Sequence, residues 1–481
     1  MDIGNKTQIQ RVIGYFHGVT FLLSSIIGAG IFIAPKGVLK YSSLNVEVTL
    51  SIWIACAMVA MTAALTYAEV GTTFPRSGAQ FYILKRSLGA PFVFFCLWIE
   101  LFMIPAGIAG RTLLLTEYVI QPFYAGCSAP ALPKKCLALA ILWSLGILSV
   151  QGVNKVTWFQ TISMMMKVTV LCLIALSGVV LLVIRKDNSI RLGDAFGSDL
   201  PNVSQIPEAL FQGLYAYSGW QILISIAGEL KNPAKNIPKC LFTALPLVAI
   251  LYLLVNISYL TVLTPREIVT SDAVAMTWTD RVIPSCQWII SMGVSTSVLS
   301  GLLSTIFSSS RLCYRASLEG QMPLLFSMLN IHSSPALSVI QIIIFASIMI
   351  IPSDLLRLIN FIGYIQSVQI GLIVIGLIKM RYQEPDLPRP FKVHLSFAFG
   401  TLITSFLLVL TPIIQSPKIY HIYMLFFILT GFLLYVVFVH FKFYFGWLDK
   451  VTCYLQLLLN VAPLDGPEEY VSEEITSKKA F

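Results

Sequence analysis

The stretch IIGAGIFIAPKG, residues 26–37, closes a run from Val12 to Pro35 that holds no Lys, Arg, Asp or Glu. A run of that length can cross a bilayer as one helix. Yet Gly28 and Gly30 fall near its middle, where a helix in lipid has most reason to stay continuous. Glycine is among the weakest helix formers, so the pair marks either a close helix–helix contact or a deliberate break.

The surrounding composition sets the class. Of 481 residues, 57% are hydrophobic and 11% charged, against about a quarter charged in a soluble domain. Charge-free runs recur at 48–68, 137–154, 209–228, 240–265, 282–310, 320–353, 358–378, 393–417 and 419–441. Lipid admits only helices or closed barrels, and the alternating ten-residue pattern of a barrel is absent. The chain therefore reads as an all-α polytopic membrane protein. Its net charge of +9 fits basic loops on one membrane face and calls for no nucleic acid. The first eleven residues are polar and the first apolar run is too long for a signal-peptide core.

Pro, Gly and charge clusters predict twelve spans near 12–38, 46–70, 90–120, 136–153, 157–184, 205–230, 240–262, 284–310, 335–353, 356–378, 393–415 and 419–441. The excess of Lys and Arg, including Arg76, Arg86, Arg311, Arg315, Arg381 and Arg389, then falls on the face of the amino terminus. Both termini are expected in the cytosol by the positive-inside rule. Residues 443–460 read as an amphipathic interfacial helix, and the acidic end of the chain as disordered. Nine cysteines show no CxxC pair and no metal-ligand spacing, so most serve as small hydrophobes. Neither a metal nor a cofactor is expected. Gly14 and Gly18 read as helix-packing positions, and Asn256, although in a glycosylation sequon, lies within a span.

A second interruption falls half a chain away. In GLYAYSGWQILISIAGE, residues 213–229, Ser218 and Gly219 break the apolar run of the sixth predicted span. Five spans separate the two breaks, so 12–184 and 205–378 read as two inverted repeats, followed by two spans at 393–441. Residues 1–11 and 442–481 then form the cytoplasmic ends. Transporters built from such repeats bind substrate at paired broken helices. A break frees N–H groups at the start of one half-helix, suited to a carboxylate. It also frees carbonyls that can accept from an ammonium group. A ligand carrying both groups on one carbon is an amino acid.

These stretches, with YAEVGTTFPRSGAQ (67–80), GELKNPAKNIPK (228–239) and SSSRLCYRASLEGQMP (308–323), resemble the light subunits of heteromeric amino-acid transporters. Those subunits belong to the amino acid–polyamine–organocation superfamily. The chain looks most similar to the renal aspartate/glutamate and cystine type. The resemblance implies a LeuT-like fold with broken helices 1 and 6, and sodium-independent exchange by alternating access. It also implies residence in the plasma membrane, at the apical surface of kidney proximal tubule. Matched to the family's motifs, the backbone at Ile27, Gly28, Ala29 and Gly30 holds the substrate's carboxylate and amine. Tyr215 is an aromatic gate, Ser218 a specificity position, and Gln366 a polar pocket residue of the tenth span. Ala29 stands where many relatives have Ser, so no hydroxyl contact is available there. Cys127 matches the cysteine bonded to a heavy-chain glycoprotein, here of the rBAT type, with a free thiol as the alternative. Cys136, at the start of the next span, is expected to be buried.

Two basic residues lie inside spans, where charge is costly and usually functional. Lys167 sits about ten residues into the fifth span, roughly 15 Å deep at 1.5 Å per residue, which disfavours snorkelling to the surface. In relatives a lysine here replaces the sodium ion that bridges spans 1 and 8. Arg111, in the third span, is expected either to grip a side-chain carboxylate of the substrate, for which its fork geometry is suited, or to pair with Glu100 or Glu117. Glu229, at the inner end of the sixth span, belongs either to a cytoplasmic gate or to a pair with a nearby loop Lys or Arg. Exchange of neutral amino acids is the nearest alternative activity; a channel or an amino-acid sensor is the next. A channel calls for a continuous polar pore or charge ring, and an enzyme for a motif such as GxSxG or HExxH, absent here.

Overall fold

Why the chain forms membrane-length helices follows from its pattern of apolar runs punctuated by Gly, Pro and charge. The computed structural model describes residues 11–76, 78–120, 130–184, 200–202, 205–271, 274–284, 287–318, 320–350, 355–415, 430–436, 441, 447–459 and 461. The helices in chain order are α1 Tyr15–Ile26, α2 Gly30–Tyr41, α3 Val46–Thr73, α4 Ala79–Ser87, α5 Ala90–Ile120, α6 Ala131–Val150 and α7 Val153–Ile184. They continue as α8 Ile206–Ala216, α9 Ile222–Ser225, α10 Pro233–Val262, α11 Pro265–Thr270, α12 Val274–Val282 and α13 Gln287–Leu318. The last are α14 Ala336–Ile350, α15 Leu355–Gln383, α16 Leu395–Gln415 and α17 Trp447–Leu459. Among the described residues there is no strand; Ile13 and Leu230 form an isolated parallel bridge.

Eleven of the twelve predicted spans fall on these helices; most of 419–441 lies outside the described residues. Among the described residues seven helices are long and apolar enough to cross a membrane singly, and α1 with α2, bent by 44°, makes an eighth if the pair is one span. The protein is thus a multi-pass, all-helical membrane protein. The amphipathic helix expected at 443–460 appears as α17.

Three boundaries differ from the sequence reading, each for a physical reason. Helix α10 begins at Pro233, not near 240, because Pro233 takes a first-turn position where its missing N–H costs nothing. Helix α13 runs to Leu318 rather than ending at 310, so Arg311 sits on a helix and is only 1% exposed. Hydropathy ends a span at an arginine; here a buried acid neutralises it, as described below. Cys136, expected to be buried, is exposed, because α6 starts at Ala131 and turns that position outward.

Around the centre, α1 is enclosed by α7, α10 and α13, α2 runs beside α8, and α5 packs between α13 and α14. The two broken spans meet at their breaks. A Cβ on Gly30 would lie 2.5 Å from the Cα of Ala216. Gly219 has φ +106°, and a Cβ there would lie 2.6 Å from Ser25 Oγ. Both glycines are therefore required, one by contact and the other by contact and conformation. Gly18 also packs tightly, its Cβ position 2.9 Å from Cys240 Sγ, but Gly14 has nothing within 4 Å and starts α1 instead.

Replacing Gly30 by Ala pushes against backbone, which cannot swing aside; overpacking of this kind costs about 1–3 kcal/mol. The variant is expected to unfold at lower temperature in detergent than the wild type. Gly400→Ala, where nothing lies within 4 Å, is expected to match it. An unchanged midpoint in Gly30→Ala would show that the two breaks do not abut.

Candidate functional site

Helix α1 ends when Ile27, at φ −76° and ψ 87°, leaves helical space; α2 resumes at Gly30. The break leaves carbonyls pointing out of one half-helix and N–H groups out of the other. Three side chains from three other helices close the carbonyl end. Lys167 Nζ on α7 donates to Ser24 O at 2.9 Å and to Ile27 O at 2.8 Å. Ser297 Oγ on α13 donates to Ile27 O at 3.1 Å. The Tyr252 hydroxyl on α10 lies 3.0 Å from Ile26 O and 3.2 Å from Ala216 O, so it bridges the two breaks. Lys167 is 1% exposed, and its charge rests on the negative end of the α1 dipole.

The N–H end is left open. No backbone carbonyl among the described residues accepts from Gly28 or Ala29. Gly28 is half-buried, whereas Ile27, Ala29 and Gly30 are buried. Any ligand contact here is thus with backbone, and the carbonyls of Ser24, Ile26 and Ile27 are already taken.

Beside the breaks lies a cavity of about 200 Å³. Ser25, Arg111, Ser218, Gly219, Thr305 and Gln366 contribute to its wall. It extends from the breaks along α5 and α13 toward α4, where Gln80 and Ser309 also line it. Arg111 Nη1 donates to Thr305 Oγ1 at 3.1 Å. Glu100 lines the same cavity, yet no ion pair forms between it and Arg111. The side chain of Glu117 lies outside the described residues, as does Cys127.

Of the positions picked out in the sequence, Arg111, Ser218 and Gln366 converge on this cavity; Ile27, Gly28, Ala29 and Gly30 do not line it, and Ser25, two residues before the break, is the nearest residue of the first span that does. The Ser218 hydroxyl donates to Tyr215 O at 2.7 Å, which fixes its rotamer and turns its oxygen lone pairs outward. Tyr215 is placed differently from the gate expected of it. It lines a neighbouring side cavity of about 70 Å³ among α3, α8, α15 and α16, which shares Ser218, Gln221 and Gln366 with the central one. Phe211 and Leu214 of the same helix line that side cavity with it.

Several residues of the site were not apparent from the sequence. Tyr252 sits in an apolar run and looks like an ordinary core aromatic. Ser25 and Ser297 had a weak signal, since hydroxyls recur through 287–318. Glu229 is paired, but not with a loop residue: Arg311 Nε on α13 donates to its Oε1 at 2.8 Å, with both side chains 1% exposed. The Arg311 guanidinium also stacks 3.4 Å from the Phe307 ring centre. The backbone of Glu229 accepts from Ile13 N at 3.0 Å, which ties the start of the chain to the same point.

An apolar bundle with two broken helices meeting at its centre, a fixed cation behind one break and an arginine-bearing cavity before it, is built to hold a small zwitterion. Comparison with known proteins agrees. Residues 13–439 match the family model described as amino acid permease. Solute carrier family 7 member 13 of Homo sapiens is 52% identical over 470 residues, 98% of this chain and 100% of that protein. Solute carrier family 7 member 12 of Mus musculus is 49% identical over 463 residues, 96% of this chain and 99% of the other. The b(0,+)-type amino acid transporter 1 of Homo sapiens is 36% identical over 469 residues, covering 96% and 95%. The chain belongs to the amino acid permease family, in its solute carrier 7 branch, and is an amino-acid transporter of the membrane rather than an enzyme.

Proposed function

We propose that this transporter is a sodium-independent exchanger of acidic amino acids, aspartate and glutamate, and of cystine. The observation that carries the substrate class is Arg111. Its guanidinium lies on the wall of the central cavity, bonded to a neutral hydroxyl, with no carboxylate pair among the described side chains. A cation held in the membrane core without a counter-ion is an incomplete pair, and an acidic side chain completes it with bidentate geometry. The backbone N–H groups of Gly28 and Ala29 take the α-carboxylate. Ser218 and Gln366 orient what projects toward the side cavity.

Lys167 supports sodium independence. Its ammonium already occupies the carbonyls of Ser24 and Ile27, the place where a bound cation would tie α1 to α7 and α13. The paired breaks support two inverted repeats, 12–184 and 205–378, that alternate access to the cavity. In this reading α1–α3 and α8–α10 rock against the other helices. The cavity reaches Gln80 on α4, which the positive-inside rule puts in the cytosol, and this supports reading the conformation as inward-facing. Cys127, which the topology read from the sequence puts in the outer loop after the third span, is the link to a heavy-chain glycoprotein of the rBAT type. The complex resides at the plasma membrane.

Two measurements test this reading. Arg111→Ala removes a charged hydrogen-bonding group worth about 1.5–3 kcal/mol, roughly a 10- to 100-fold loss of affinity. Labelled aspartate uptake into proteoliposomes should show that rise in KM, and an unaltered KM sinks the acidic-substrate reading. Uptake by the wild type should not change when choline replaces sodium, and Lys167→Met should reduce it at least tenfold, since Ser24 O loses its side-chain donor and Ile27 O keeps only Ser297. Sodium stimulation of the wild type would overturn the role given to Lys167.

A further inference from the structure

A groove of about 290 Å³ takes no part in the reading above. It lies between the start of α1 and the start of α7 and shares no residue with the central or the side cavity. Val12, Ile13 and His17 form one wall, and α7 forms the other from Asn154 to Thr161. Both helix starts lie on the face of the amino terminus, which the positive-inside rule puts in the cytosol. From Asn154 to Thr161 the groove follows two turns of helix, about 10 Å at 1.5 Å per residue.

Its two ends differ in chemistry. The deep end offers no hydroxyl donor: Thr157 and Thr161 donate to their own helix, to Val153 O at 2.7 Å and Thr157 O at 2.8 Å. Trp158 lines the groove and is 69% exposed, and Phe16 beside His17 is also exposed. Aromatic rings so placed mark the level where headgroups meet acyl chains. The outer end is cationic. Arg11, Lys155 and Lys231 are all exposed. Arg11 precedes Val12, Lys155 follows Asn154, and the backbone N–H of Lys231 donates to Ile13 O at 2.8 Å. No acid among the described residues pairs with any of the three. Lys155 donates to the neutral Gln151 amide at 3.1 Å, and the one acid nearby in sequence, Glu229, is taken by Arg311.

We propose that this groove binds one anionic phospholipid of the cytoplasmic leaflet. The phosphate and headgroup lie among Arg11, Lys155, Lys231 and the Asn154 amide, and an acyl chain lies along Trp158 toward Thr161. A basic recess between helices on the cytoplasmic side is the physical form of such a site. A sterol would use the apolar end but leave three cations without an anion. The two walls belong to parts that move relative to each other in the exchange reading, α1 and α7. A lipid held between them therefore stabilises the conformation in which the groove is open.

Dioctanoyl phosphatidylserine titrated into the full-length chain in a neutral maltoside detergent tests the site, with dioctanoyl phosphatidylcholine as the uncharged counterpart. A ligand that binds only the folded state raises the melting midpoint with concentration. Phosphatidylserine should raise it saturably, and phosphatidylcholine should not. The triple variant Arg11→Gln, Lys155→Gln, Lys231→Gln should bind it on the order of 100-fold more weakly, roughly fivefold for each basic residue removed. These side chains are exposed, so the variant is expected to fold. The variant Lys379→Gln, Lys392→Gln, Lys450→Gln loses three exposed cations from α15, the stretch before α16 and α17; it should respond as the wild type does. Phosphatidylserine brominated on its acyl chains should quench tryptophan fluorescence, and Trp158→Phe should remove the saturable part. An equal response to both lipids, or an undiminished one in the first triple variant, overturns the site. Equal losses in the two triple variants, or quenching indifferent to Trp158→Phe, overturn it as well. Displacement of phosphatidylserine by cholesterol delivered from cyclodextrin assigns the groove to a sterol instead. Lipid binding that appears only after residues 2–9 are removed assigns it to the chain's own first residues.

Discussion

Everything at the centre of this molecule depends on satisfying backbone groups that two helices give up inside the membrane. In lipid there is no water to take them, and each orphan costs several kcal/mol. The chain meets the carbonyl half of that demand with side chains drawn from three helices: Lys167 from α7, Ser297 from α13 and Tyr252 from α10. Because each donor comes from a different direction, the end of α1 is fixed against all three neighbours at once. The N–H half is left unmet at Gly28 and Ala29. That asymmetry is the physical basis of the proposal that Gly28 and Ala29 receive the carboxylate of a substrate.

The charged residues within the bundle fall into two sets. Glu229 with Arg311, and Glu69 with Arg381 and Arg389, are matched acid to base and line neither the central nor the side cavity. Arg111 and Glu100 line the cavity without an ion-pair partner among the described side chains. Lys167 stands between, satisfied by carbonyl dipoles rather than by an opposite charge. Removing one member of a buried pair strands the other, so the first set holds the fold together. The second set is available to a ligand.

Much of this was legible from the sequence. Runs of apolar residues located eleven spans, and glycines located the breaks: Gly30 and Gly219 because a close backbone approach there tolerates little else, Gly28 by its weak helix propensity alone. Arg111 and Lys167 stood out as charges at mid-span. What stayed hidden needed three dimensions. Tyr252 is indistinguishable from a core aromatic until its hydroxyl is seen between two carbonyls. Arg311 looked like a loop charge, since hydropathy counts an arginine without its partner 82 positions away on Glu229. Tyr215 was assigned from its place in a motif, yet the pitch of α8 carries its ring to the side cavity. Cys136 looked buried because an apolar stretch follows it, but the helix start at Ala131 sets which way it faces.

The clasp on Glu69 has a mechanical meaning. The acid sits near the end of α3, fully buried. It accepts from Arg381 at the end of α15 and, at 2.9 Å, from the backbone N–H of Val393 just before α16. Arg389 adds a second cationic group 3.7 Å away. Two rods riveted together at one tip cannot slide past each other; they can only swing about the rivet. Any relative motion of α3 and α15 is therefore angular, smallest beside Glu69 and growing toward the far membrane face. The lever arm is the length of the helix itself.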